Sequence, residues 1–339
     1  MRTEDARAEW LPFQLFEDLK TFLENNSLRW EGAPDRCLVI RDEGKILASA
    51  AIQGKVVKYV SVDSSLRETG WATKLVSEII EDAFQRGNTH LFLFTKPESA
   101  PSFENMAFRP VAAHGSMALL ECGMRSVKDY AERLKKHRSP GTNGAIVMNA
   151  NPFTLGHRYL IETAAKQVDR LHVFMVKEDK SAFSSDVRYR LVAQGTKDLN
   201  NVLVHRGSEY ILSHVTFPSY FIKKADDIAS QQAGLDVEVF MRHIVPALDI
   251  KVRFVGNEPL DAATNNYNLK MKEILSRGQI SVVEIDRLSR DEKIISASMV
   301  RKLLIAGQTD EAFTYLPEVT QKFLNSEEGR NIIERMKNI

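Results

Sequence analysis

Ala145-Ile146-Val147-Met148-Asn149-Ala150-Asn151-Pro152-Phe153-Thr154-Leu155-Gly156-His157 joins a short apolar run to a polar turn and then to a helical pattern. Ala145–Met148 has the length and apolarity of a buried strand. Pro152 ends it, because proline cannot donate to a sheet ladder. Leu160, Ile161, Ala164, Ala165 and Val168 then line one face of a helix over Gly156–Val168. A buried strand running through a tight turn into an amphipathic helix opens a parallel α/β unit.

Downstream the alternation continues. Strand-like runs lie at Leu171–Val176, Val202–Val204, Val252–Val255 and Ile280–Ile285, with helical patterns at Ser185–Leu199, Val237–Ala247 and Ala263–Leu275. The predicted fold class is therefore α/β, with a doubly wound parallel sheet in this half. Such sheets bind ligands beyond the carboxyl ends of their strands, so that is where functional residues are expected.

Upstream, His137-Arg138-Ser139-Pro140-Gly141-Thr142-Asn143-Gly144 is rich in turn formers. This predicts a linker over 138–144, with one domain at 1–137 and another at 145–339. The first domain reads as a helix over Leu11–Leu23, strands at Cys37–Ile40, Ile46–Ile52 and Val56–Val62, and a helix carrying Leu75, Val76, Ile79, Ile80 and Ala83. Leu91–Phe94 and a weaker Ala118–Leu120 follow as strands. A small α/β or α+β domain is expected.

Lys and Arg number 46 against 45 acidic residues, so the net charge of +1 predicts no general attraction to nucleic acid or to an anionic membrane. Phosphate binding then requires a local site. No stretch approaches the roughly 20 apolar residues of a membrane span, and MRTEDARAEW lacks the apolar core of a signal peptide. Cys37 and Cys122 are too few and too far apart for a disulfide framework or a CxxC site. A cytoplasmic location is expected. His90, His172, His205, His214 and His243 lack metal-ligand spacing and read as ordinary polar or core residues, so no protein metal site is expected.

At the residue level, His157 falls at a helix start, whose N–H groups and positive dipole end favour an anion. Either it donates to a phosphate or it merely caps the turn; the Gly-His pair alone leaves both open. Ile295-Ser296-Ala297-Ser298-Met299-Val300-Arg301 opens another helix after the last predicted strand. Ser296 suits an N-cap, while Ser298 and Arg301 place a hydroxyl and a guanidinium near that helix start. Lys177, at a strand end, reads as a solvated lysine. Asn149 and Asn151 suit either a ligand or a turn.

Thr154-Leu155-Gly156-His157 resembles the (H/T)xGH motif of the nucleotidyltransferase superfamily, and Ile295–Arg301 resembles its ISSxxxR or ISSxxxK signature. Lys180-Ser181-Ala182-Phe183-Ser184, followed by Arg188, resembles the segment after the second strand of pantetheine-phosphate adenylyltransferases. The resemblance implies a Rossmann-like nucleotidyltransferase domain in which His157, Lys180 and Arg301 are catalytic. It also implies ATP contacts from Asn149, Asn151, Phe153, Thr154, Gly156, Arg188, Gly256, Glu258, Ser296 and Ser298. Mg²⁺ is expected to arrive with the ATP. Thr154 stands where the superfamily often has His, which removes one cationic contact.

In the first domain, Arg67-Glu68-Thr69-Gly70-Trp71-Ala72 lies between a strand and a helix start. Its RxxGxA pattern resembles the acetyl-CoA loop of GCN5-related (GNAT) acetyltransferases, and Phe103–Phe108 resembles their FxxxGF segment with Ala107 for Gly. Arg67, Gly70 and Ala72 are thereby candidates for binding a coenzyme A-like group, although a simple glycine-containing helix start fits the same residues. No Tyr or Cys stands where that family often keeps its general acid, so acetyl transfer by this domain is not expected.

A GNAT-like domain ahead of an adenylylating domain resembles the citrate lyase ligase family, above all over Met148–Leu160 and Leu91–Glu98. This resemblance implies an AMP-forming acid–thiol ligase. Its reaction consumes ATP and acetate, passes through acetyl adenylate, and acetylates the thiol prosthetic group on the acyl-carrier subunit of citrate lyase. Two other readings fit the residues: an adenylyltransferase acting on phosphopantetheine or a pyridine mononucleotide, and a non-catalytic nucleotide sensor that binds a partner enzyme.

Overall fold

The structure, a computed structural model, describes residues 7–177, 181–211, 217–222, 228–257, 262–290 and 293–338. The chain divides into two units, Met1–Tyr130 with Val215–Glu238 and Ala131–His214 with Val239–Ile339.

In the first unit, β2 (Arg36–Asp42), β3 (Lys45–Gln53) and β4 (Val56–Val62) form an antiparallel meander with β1 (Ala8–Trp10) on its outer edge. Gly44 and Gly54 take positive φ in the two tight turns, a conformation that disfavours any side chain. β4 then pairs in parallel with β5 (His90–Thr95), but only at Val56–Phe92 and Val57–Leu93. β7 (Met117–Gly123) and β6 (Arg109–His114) complete the order β1-β2-β3-β4-β5-β7-β6. The sequence pattern predicts neither β1 nor β6. Pro110 argues against a strand, yet β6 is an edge strand, where a missing N–H is tolerated. Helices α1 (Phe16–Asn25), α2 (Trp71–Gln85) and α3 (Ala100–Glu104) accompany this sheet. Of the expected face of α2, Leu75, Val76, Ile79 and Ala83 are buried in one core with Leu38, Ile40, Ala48 and Ala50, while Ile80 is partly buried against it. Helix α4 (Val127–Lys135) carries the chain into the second unit.

In the second unit, β8 (Asn143–Met148), β9 (Arg170–Met175), β10 (Val202–His205), β11 (Ile250–Gly256) and β12 (Ser281–Ile285) form a sheet in the order β10-β9-β8-β11-β12. Every pairing is parallel. The chain winds outward from β8 to β10 and then restarts at β11 on the other side of β8. The topological switch point therefore lies between the carboxyl ends of β8 and β11. Helices α5 (Leu155–Ala165) and α6 (Ser185–Gly195) follow the first two strands. Ile161, Ala164, Leu191 and Val192 are buried in one core with Ile146, Met148, Val173 and Met175. The doubly wound fold expected for this half is the fold found.

The helix expected over Val237–Ala247 starts earlier, as α7 (Ile228–Val239), and passes through a π-helical turn, Phe240–Ile244, into α8 (Val245–Leu248). Pro246 lacks the N–H that a continuous α-helix would use. Helix α9 (Ala262–Arg277) precedes β12. A short hairpin, β13 (Ser289–Arg290) and β14 (Lys293–Ile294), leads to α10 (Ala297–Ile305), and α11 (Thr309–Phe313), α12 (Glu318–Leu324) and α13 (Glu327–Lys337) close the chain.

Residues 217–222 and most of α7 pack within the first unit, although they follow β10 in sequence. The Phe217 ring lies 5.1 Å from that of Phe94, and the Tyr220 ring 5.0 Å from that of Tyr59. The Arg29 N–H donates to the Tyr220 carbonyl at 2.8 Å, and the Ser219 hydroxyl donates to Glu31 at 2.8 Å. The Ser116 N–H, in the β6–β7 turn, donates to Gln231 Oε1 of α7 at 3.0 Å. A single cut at 138–144 does not separate this segment from the second domain. Its own aromatic residues assign it to the neighbourhood of β4 and β5.

Among the described residues no helix is long and apolar enough to cross a membrane, and no group of three or more His, Cys, Asp or Glu is placed to hold a metal ion. Cys37 and Cys122 are free and buried, and burial pushes both thiols up.

Candidate active site

The site forms where β8 gives way to α5. Thr154 holds extended backbone and caps the helix. Its hydroxyl oxygen accepts the His157 N–H at 3.4 Å, while the Thr154 N–H donates to His157 Nδ1 at 3.1 Å. This is a reciprocal capping box with an imidazole in the place usually taken by Glu or Gln. A backbone N–H can only donate, so Nδ1 is an acceptor and the neutral ring carries its proton on Nε2. The Thr154 hydroxyl lies 2.9 Å from the same Nδ1. Loss of solvation, and then the positive charge of Arg287, push the His157 pKa down to about 4. Near neutral pH His157 is an uncharged donor.

A second helix start meets this one. Ser296 caps α10, its hydroxyl accepting the Met299 N–H at 3.1 Å. Gly156 lies against the carbonyl of Ile295, just before that cap, and a Cβ on Gly156 would sit 2.8 Å from the Ile295 oxygen. Arg301 reaches back from α10 to donate to the Asn151 carbonyl and, at 3.2 Å, to the Ser298 hydroxyl. Asn151, Thr154, Gly156, His157, Ser296, Ser298 and Arg301 thus gather where the two helices begin, at the carboxyl end of the sheet.

Other expected residues take different places. Phe153 is fully buried in the core, its ring 6.2 Å from that of His157, so it supports the imidazole from below. Arg188 is also fully buried. It donates to the carbonyls of Phe183 (3.0 Å), Asn149 (2.9 Å) and Val176 (3.0 Å) and to Asn149 Oδ1 (2.6 Å). Phe153 and Arg188 were expected to contact ATP; a side chain with no exposed surface holds the loop instead. Thr154, 1% exposed, acts through His157 rather than by offering its hydroxyl outward. Asn151 Oδ1 accepts the Phe183 N–H at 3.0 Å, a turn contact that ties the 181–184 segment to β8. Lys177 pairs with Glu209 at 3.1 Å. Lys180 and Glu258 lie outside the described residues.

Gly256 ends β11 and is followed by Asn257, which accepts the Arg287 N–H at 3.2 Å on Oδ1 and the Arg287 Nε–H at 3.0 Å on its carbonyl. Arg287 belongs to no motif. The available signal is its position, two residues past the end of β12 in a sheet that binds at its strand ends. In the first unit, Gly70 caps α2 with φ 83° and no side-chain cap, and a Cβ there would meet nothing within 4 Å. The first N–H groups of that helix are therefore uncovered by a capping side chain, with Arg67 exposed and Ala72 half-buried beside them.

Residues 143–324 match the family described as "Citrate lyase ligase C-terminal domain", and residues 3–106 match "Acetyltransferase (GNAT) family". The chain is 41% identical over 316 residues to a [Citrate [pro-3S]-lyase] ligase of Escherichia coli (strain K12), covering 91% of this chain and 90% of that protein. The chain belongs to the citrate lyase ligase family. Proteins with the same name from Klebsiella pneumoniae and Haemophilus influenzae (strain ATCC 51907 / DSM 11121 / KW20 / Rd) are 39% and 38% identical, over 91% and 90% of this chain and 92% and 94% of theirs. Members of this family are ligases, so the chain is an enzyme of that class.

Two outcomes follow from the geometry. Gly156→Ala places a methyl group against the Ile295 carbonyl, so it should cost about 1–3 kcal/mol in chemical denaturation. It should also weaken nucleotide binding by separating the helix starts; full stability and affinity would contradict the close approach. The second concerns pH. His157 and His172 are held down to about 4 and His205 to about 3, in each case first by burial. Unfolded histidines take up protons near 6.5, so between that pH and about 4 the unfolded chain binds more protons. Stability should therefore fall as pH drops through this window. Nitrogen NMR should show His157 protonated only on Nε2 at pH 7.

Proposed function

We propose that the second unit joins acetate to the α-phosphate of ATP and that the acetyl group then passes to the thiol prosthetic group on the acyl-carrier subunit of citrate lyase. The observation that carries this reading is the approach of Gly156 to Ile295, which sets two helix starts, an Nε2–H donor and the Arg301 guanidinium at one end of a parallel sheet. Helix starts and cations of this kind suit a polyphosphate. The relatives' name supplies the substrate protein.

An acetate oxygen attacks the α-phosphorus, the bond to the bridging oxygen breaks, and pyrophosphate leaves. The carrier's thiolate then attacks the acetyl carbonyl carbon and AMP leaves, the thiol proton passing to solvent. His157 and Arg301 are assigned to the developing charge on the phosphates, with Lys180 at the α-phosphate. Asn149, Asn151 and Ser298 are assigned to orienting the nucleotide, and Mg²⁺ enters with ATP. The second unit forms the adenylylating part and the first unit the acetyltransferase-like part; Arg67, Gly70 and Ala72 hold the pantetheine-like arm of the carrier. The reaction is placed in the cytoplasm.

ATP–pyrophosphate exchange with a panel of small carboxylic acids tests the chemistry. Exchange should depend on acetate, and His157→Ala should lower it on the order of 10²–10³-fold. A folded His157→Ala protein with near-normal exchange would refute the role of the imidazole. A dinucleotide product, in place of AMP, would move the reaction to another substrate. For the first unit, Gly70→Arg should raise the Michaelis constant for the carrier protein while leaving acetate-dependent exchange in place. Unchanged carrier kinetics would remove that assignment.

A further inference from the structure

We propose that Arg287 carries the positive charge that meets the pyrophosphate end of the nucleotide, with His157 beside it as a neutral hydrogen-bond donor. The inference rests on the reading above, that this end of the sheet binds ATP, and it names a group that neither motif contains.

β11 and β12 are adjacent parallel strands, with Gly256 opposite Ile285 as their last pair. The chain leaves each strand on the ligand-binding side of the sheet. There Asn257 takes hold of Arg287 twice, through the backbone N–H to Oδ1 at 3.2 Å and through Nε to the carbonyl at 3.0 Å. Asn257 is itself held, its Nδ2 donating to Asp286 at 2.6 Å. The guanidinium is thus fixed by its Nε edge, and its stem passes Gly256, whose absent Cβ would lie 3.9 Å from Nε. A guanidinium held in this way keeps a fixed heading with little rotamer freedom left to lose on binding.

Its position just past the carboxyl end of β12 puts this charge on the binding side of the sheet, and two further observations give it a task. The group that feels it is His157, whose imidazole is held neutral by burial first and by Arg287 second. The capping box independently commits Nδ1 to accepting from Thr154. His157 therefore brings a dipole but no charge, and Thr154, in the position where the superfamily often has a second histidine, brings none. The departing pyrophosphate needs cationic partners. Arg287 is half-buried, where a charge is less screened than on an open surface, and arginine stays protonated there.

Calorimetric titration with ATP, inorganic pyrophosphate and AMP, on the full chain and on Arg287→Gln and Arg287→Lys, tests this. Arg287→Gln should weaken ATP and pyrophosphate on the order of 10- to 100-fold, the loss of one charge-assisted contact. AMP binding should change little, and Arg287→Lys should recover most of the ATP affinity. In NMR titration of the unliganded protein, the His157 pKa should rise in Arg287→Gln and stay low in Arg287→Lys. If the unaltered chain binds neither ATP nor pyrophosphate, the reading of the site fails and this inference with it. If it binds both and Arg287→Gln binds them equally well, the inference alone fails. Equal losses for ATP and AMP, or a His157 pKa unmoved by Arg287→Gln, would make Arg287 only a brace between β11 and β12 and would likewise overturn it.

Discussion

The second unit depends on a side chain that is absent. Gly156 stands one residue before the imidazole, and the Ile295 carbonyl occupies the space where any other residue would place its Cβ. That carbonyl belongs to backbone just ahead of a helix cap, so it has little freedom to retreat. With glycine there, the N-termini of α5 and α10 approach closely enough for Arg301 to reach the Asn151 carbonyl. Helix starts concentrate unpaired N–H groups and a positive dipole end, and bringing two together compounds both effects over a small volume. Such an arrangement disfavours itself electrostatically unless an anion fills it. The cost is met by the buried apolar packing beneath, where Phe153, Ile161, Ile295 and Val300 share one core.

The capping box adds a second constraint. Glu or Gln at its third position would spend a carboxylate or amide on the cap and leave nothing facing outward. Histidine has two ring nitrogens, so Nδ1 closes the cap while Nε2 keeps the proton. Thr154 suits the inner role because its hydroxyl is short and its branched Cβ favours the extended backbone of a cap. Buried and bonded to Nδ1, it holds the orientation of His157.

Much of this was legible in the sequence where a local rule and a tertiary requirement coincide. Ala145–Met148 is apolar because the strand is covered on both faces, and the turn, cap and amphipathic helix after it follow from neighbours in the chain. Leu75, Val76, Ile79, Ile80 and Ala83 announced α2 by their one-sided spacing. Phe153 and Arg188 sit in or near motifs that point to a ligand, yet their burial is decided by what packs on them from elsewhere in the fold. Pro110 hid β6, since only the sheet order reveals that its strand lies at an edge. The return of Phe217, Ser219 and Tyr220 to the first unit depends on partners, Phe94, Glu31 and Tyr59, far away in sequence. No periodicity records that. Arg287 was invisible as a motif and visible only as a position.

The distribution of charge follows from these placements. A histidine near its ordinary pKa would be partly protonated at neutral pH, so its strength as a phosphate partner would vary with small changes in acidity. Burial and a neighbouring guanidinium remove that variation by holding the ring neutral. Positive charge at this end of the sheet comes instead from side chains that do not titrate in this range, and both Arg287 and Arg301 are anchored to backbone carbonyls of neighbouring loops. Each carbonyl accepts from one edge of a planar fork and thereby sets its direction. Orientation is thus built into the loops, and binding has less disorder to overcome.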